Sequence, residues 1–128
     1  MTHPAPAGLA IEFPDSEVAR IGFDGRTLTI DLPVVAVRGP GHRYLRAVLL
    51  QLDEAEILHQ ERGCIGRLAG GELLADGTAL PVCLTPSAHD GRIELRLRFA
   101  NGSAFVATGR ALRLSSADKG GPIEHLHC

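Results

Sequence analysis

Arg92, Arg96, Arg98 and Arg110 fall where a single hairpin could gather their guanidinium groups on one face. Residues 93–99 read Ile-Glu-Leu-Arg-Leu-Arg-Phe, a strict alternation that points the apolar set one way and the charged set the other. Ala100-Asn101-Gly102 then fits a three-residue loop with Gly102 left-handed. In that register Phe99 faces Ser103, Leu97 faces Phe105 and Leu95 faces Ala107, so the apolar face is kept. Arg92 comes opposite Arg110 and shares its side with Arg96 and Arg98, with Glu94 alone to offset them. Four such groups suit a phosphate, a carboxylate ligand or an acidic partner. The plainer account is a charged solvent face that keeps the sheet soluble and discourages edge pairing.

Two further groups of residues carry chemistry in principle. His125, His127 and Cys128 put two imidazoles and a thiol within four residues, donors that Zn²⁺ accepts. A closed site would need a fourth ligand, for which Cys64, Cys83 or His59 would have to lie near. The alternative is a tail that ends in these residues by chance. The run Asp53-Glu54-Ala55-Glu56, followed by His59 and Glu61, could do acid–base work if burial moved its pKa values apart, and is otherwise a solvated surface. His42, His59 and His89 are the candidates for a general base placed on a turn.

More specific chemistry is missing. No Ser sits in a G-x-S-x-G elbow, and no glycine cluster precedes Lys-Ser/Thr. Leu68-Ala69-Gly70-Gly71-Glu72 lacks phosphate-loop and dinucleotide spacing and reads as a turn. Three cysteines cannot pair completely, and no leader of basic then apolar residues is visible, which points to reduced thiols and a cytoplasmic chain. The net charge is −2 and only five residues are aromatic, which weighs against a nucleic-acid partner. Apolar runs reach no more than four residues, too short for a membrane-spanning helix. Of the 13 basic residues only Lys119 is a lysine. This arginine preference has a plain source in the codon usage of bacterial-like compositions.

The elements that would position these residues are strands. A chain of 128 residues is one domain's worth. Residues 1–8 read as a loose Pro-rich segment, 9–114 as a single β domain, and 115–128 as a Gly/Ser-rich linker and tail. Asp-Gly or Asn-Gly stands at 24–25, 76–77, 90–91 and 101–102, and these dipeptides tolerate the positive φ of tight turns. A two-residue loop at 24–25 would pair Ile21 with Leu28 and Ala19 with Ile30. A hairpin at 76–77 would join 72–75 to 78–82. Residues 43–62 fit strands at 43–52 and 55–59 around a bulge at Asp53-Glu54, with a single helix as the alternative.

The expectation is therefore an all-β fold of about eight to ten antiparallel strands, a barrel or a sandwich, or α+β if 43–62 is helical. Absent a nucleophile constellation or cofactor fingerprint, the expected function is a non-catalytic module binding a small ligand or a protein. The alternatives are a small enzyme with a His base, or metal binding through the C-terminal residues. No cofactor other than Zn²⁺ is indicated. Val34-Val35-Ala36-Val37, apolar on both faces, suggests a homodimer in which a second subunit covers one of them.

Overall fold

The computed structural model describes residues 11–38, 43–80 and 85–116. These hold β1 (Ile11–Val18), β2 (Arg20–Phe23), β3 (Leu28–Val37), β4 (Arg43–Asp53), β5 (Glu56–Gln60), β6 (Gly66–Ala75), β7 (Thr78–Leu80), β8 (Thr85–Phe99) and β9 (Ala104–Ser116). No helix occurs among the described residues. The pairings are antiparallel, in the order β1-β3-β4-β9-β8-β6-β7. A further pairing of β1 with β6, Glu17 to Arg67 and Val18 to Gly66, closes the sheet into a ring of hydrogen bonds. β2 continues β1 along β3, and β5 continues β4 along β9. The 43–62 segment is thus two strands parted at Glu54, whose φ is 52°. As a helix it would have turned Leu50 to water. As a strand it buries Leu45, Val48, Leu50 and Leu52.

Alternation fills the interior. Leu28, Ile30 and Leu32 of β3, Ile93, Leu95, Leu97 and Phe99 of β8, and Phe105 and Ala107 of β9 are all buried. At one corner the alternation reverses in three strands together. The buried positions step from Phe13 to Ser16 in β1, from Leu32 to Val35 in β3, and from Leu45 to Val48 in β4. Each step is three residues, so the inward face changes parity without losing the core. Pro33, with no N–H to give, and Ala47, with φ 55°, sit at the corner and drop out of the β3–β4 ladder. β1 takes the corner as a bulge around Asp15, φ 69°, between Glu12 and Glu17. The parity change also accounts for the Val34–Val37 run: Val35 and Val37 point inward, and Val34 and Ala36 are half-buried.

Ser16 is fully buried at this bulge. Its hydroxyl donates to the Glu12 carbonyl at 2.6 Å and accepts the Ala36 N–H at 3.0 Å, giving partners to two groups at the irregular ladder.

Three local expectations change. The 24–25 turn is a four-residue loop, 24–27, with Ile21 opposite Ile30 and Phe23 opposite Leu28. The Asp24 carboxylate accepts the Arg26 and Thr27 N–H groups at 2.8 and 2.7 Å, which stabilises the longer loop. A slip of two residues leaves every side chain on its face, so alternation could not separate the two registers. Asp90-Gly91 is no turn; it lies inside β8, where Gly91, φ 122°, accompanies a register shift between Asp90 and Ile93. Gly70 and Gly71 likewise lie inside β6, because a Cβ on Gly71 would stand 2.9 Å from Phe13 Cδ2 and from the Arg96 carbonyl. The 76–77 and 101–102 turns form as expected, with Ala75 opposite Thr78 and Leu97 opposite Phe105.

Two substitutions test this packing. Ser16→Ala leaves the Glu12 carbonyl and the Ala36 N–H without their partner and should lower unfolding free energy by about 1–3 kcal/mol in urea titrations. A Cβ on Gly109 would overlap Leu52 Cγ and stand 2.8 Å from the Asp53 carbonyl. Gly109→Ala should therefore cost about 1–3 kcal/mol. Gly22→Ala, whose nearest neighbour would be 3.9 Å away, should stay within about 0.5 kcal/mol of the parent.

Candidate functional site

β8 carries Arg92, Arg96 and Arg98 outward between buried Ile93, Leu95, Leu97 and Phe99. The sequence groups them with Arg110; the structure divides the four. Arg96 is held by Glu94 on its own strand and by Glu72, its partner across β6, at 3.5 Å. The bond to Glu94, then its charge, raises the Arg96 pKa further above its ordinary value. Arg98 lies over the bare backbone of Gly70, its opposite number on β6, where a Cβ would overlap Arg98 Nη2. Arg96 is thus engaged by carboxylates, while Arg98 packs on Gly70 with no carboxylate oxygen within 4.0 Å among the described residues.

Arg92 and Arg110 have a different setting. Each stands one residue beyond the Ile93–Gly109 pair, where the β8–β9 ladder breaks at Gly91. They line an open cleft of about 570 Å³ together with Glu54, Glu56, Asp76 and Thr108. Three irregularities shape it: the Gly91 bulge, the left-handed Glu54 between β4 and β5, and the Asp76-Gly77 turn with φ of 50° and 85°. The Asp76 N–H donates to the Arg92 carbonyl at 3.1 Å, which fixes the turn against β8. The 24–27 loop docks on the opposite wall. There Arg26 pairs with Glu54 at 3.1 Å and its carbonyl accepts the Ala55 N–H at 2.8 Å. Asp53 faces Arg113 at 3.6 Å. Among the described residues neither Arg92 nor Arg110 has a carboxylate oxygen within 4.0 Å, and neither Glu56 nor Asp76 has a cationic nitrogen so close.

The acidic run does not act as a unit. Asp53 and Glu54 are tied to Arg113 and Arg26, while Glu56 faces the cleft. The His59 side chain is 53% exposed and pairs with Glu61 at 3.4 Å. Glu61 in turn accepts the Ala104 N–H at 2.7 Å. With Asn101 donating to the Gly63 carbonyl at 2.7 Å, that bond anchors the β5–β6 connection to the β8–β9 turn. Cys64 is a free thiol in the same connection, and burial pushes its pKa up. His42, Cys83, His125, His127 and Cys128 lie outside the described residues, as does the side chain of His89. Among the described residues no three of His, Cys, Asp and Glu converge on a common point that could hold a metal, and no helix is long and apolar enough to cross a membrane.

No protein-family model, curated protein or solved structure matches the chain.

Sequence reasoning missed that Glu56 and Asp76 line the same cleft as the two arginines. Asp76 read as a turn residue and Glu56 as part of a solvated run. The available signal was Arg92 directly after Asp90-Gly91: a positive-φ dipeptide inside a strand marks a bulge, and bulges re-aim side chains.

The loop that claims Glu54 depends on Asp24. The Thr27 N–H, and after it the Arg26 N–H, hold the Asp24 carboxyl below its ordinary value of 3.8. The folded chain therefore favours the ionised form. That contribution is fully present above 3.8 and fades as pH falls through the lowered value. Urea midpoints measured against pH should decline less steeply below 3.8 in Asp24→Ala than in the parent.

Proposed function

We propose that this chain is a non-catalytic binding module that takes a small anionic ligand on the outside of its ring, between Arg92 and Arg110. The observation that carries the reading is that Arg92 and Arg110 line one cleft at a ladder break, with no carboxylate oxygen within 4.0 Å of either among the described residues. Like charges that share one cleft repel, and an anion taken up between them would offset that repulsion. A planar guanidinium forks onto carboxylate or phosphate through two parallel hydrogen bonds. The ligand belongs outside because apolar side chains fill the inside: Leu50, Leu52, Leu95 and Phe105 are each no more than 1% exposed. The Gly91 bulge and the 76–77 turn form the walls from backbone, which gives the cleft a fixed shape.

Inorganic phosphate is the simplest probe. Its titration, followed by amide chemical shifts, should give saturable changes at 91–92 and 108–110, with a dissociation constant on the order of millimolar that rises with salt. Arg92→Gln combined with Arg110→Gln should abolish those changes. It should also raise stability by about 0.2–1 kcal/mol, because the like-charge pair is gone. Shifts that fail to saturate, or that survive in the double variant, would overturn the reading.

A further inference from the structure

We infer that the ligand of this cleft carries both signs, its anionic end between Arg92 and Arg110 and a cationic end facing Glu56 and Asp76. The inference rests on the binding reading above and extends it to a ligand class. Five charged side chains line the cleft: Arg92, Arg110, Glu54, Glu56 and Asp76. Glu54 is already paired with Arg26 from outside the lining. What remains is two cations and two anions that share one cleft, with no pair of opposite sign within 4.0 Å. The left-handed Glu54 precedes Glu56, and the 76–77 turn is fixed to the Arg92 carbonyl.

A ligand of one sign meets repulsion in such a cleft. A simple anion drawn to the arginines comes up against Glu56 and Asp76, and a simple cation meets the converse. A dipolar ligand satisfies both sets. The register sets its length. Glu56 pairs with Thr108 on β9, and Arg110 lies two residues further along that strand, a separation of about 7 Å. The open cleft, at about 570 Å³, has room for a short chain that spans this distance. The class that fits is a small zwitterion such as an ω-amino acid, or the charged ends of a short peptide. Glu94 lines an adjoining recess with Asp76 and Arg92 but is engaged by Arg96, so it does not alter the balance.

Three probes of one length separate the alternatives: ε-aminocaproate, caproate and hexylammonium, each titrated into the protein at the same ionic strength and followed by amide shifts. ε-Aminocaproate should bind about tenfold more tightly than either single-sign probe, with shifts at 76–77 as well as at 91–92 and 108–110. Glu56→Gln with Asp76→Asn should remove that advantage and leave caproate bound at least as well as before. Asp76→Asn keeps an Asn-Gly turn, so the wall is retained. Melting curves of the double variant confirm that its fold is intact. Caproate binding as tightly as ε-aminocaproate would overturn the two-sign inference and leave the anion reading standing. Hexylammonium binding most tightly would overturn both. If none of the three binds, the inference fails alone where phosphate still binds, and together with the anion reading where phosphate also fails.

Discussion

A ring of strands permits a break in alternation only if neighbouring strands break at the same level. A single strand reversing its inward face would push a charged residue into the core and a leucine into water. β1, β3 and β4 meet this constraint by reversing together, between Phe13 and Ser16, Leu32 and Val35, and Leu45 and Val48. The polar cost of the corner is met locally. Pro33 needs no ladder partner, and the Ser16 hydroxyl serves the two backbone groups left beside the bulge. Without that corner the flat halves of the strands would not close on a common interior.

A second break works by the same logic and produces the cleft. β9 reverses between Gly109 and Leu112, and β4 gives way to β5 at Glu54 beside it. Leu52 fills the space left by the missing side chain of Gly109, so the core stays packed where the backbone is least regular. On the outer side, the same irregularity frees Arg92 and Arg110 from the neat charge pairing that Arg96 enjoys two turns of the pleat away. Core packing and surface chemistry at this point share one cause.

How far the sequence discloses this follows from what periodicity can and cannot encode. The 93–107 hairpin was readable to the residue, since only one loop length keeps Phe105 with Leu97. The strands at 43–53 and 56–60 were readable through the Asp53-Glu54 interruption, though helix propensity competed. The 24–27 loop was not, because a two-residue slip is silent in alternation and the deciding groups are the amides that bind Asp24. By composition Gly70, Gly71 and Gly91 read as turn glycines. They are strand glycines whose reason is a neighbour, Phe13 or Arg98, or a bulge. Of the cleft, the nearness of Arg92 to Arg110 is legible in the hairpin register, although the ladder breaks between Asp90 and Ile93 and does not pair the two. Glu56 and Asp76 are not legible there, since they arrive from strands and turns far off in the chain.

The closing seam of the ring is short. β1 meets β6 through Glu17–Arg67 and Val18–Gly66, whereas β3 and β4 stay paired from Leu28–Leu52 to Val37–Arg43. The seam also joins residues about fifty positions apart, so its closure carries a large chain-entropy cost relative to the hairpins. Hairpins such as β8–β9 and β3–β4 join near neighbours in the chain, whereas the seam and the β4–β9 pairing both close long loops. Two backbone pairs hold this seam of the ring, so amide protons along β1 and the start of β6 would exchange with solvent through local opening, while those of β3 and β4 wait for global unfolding.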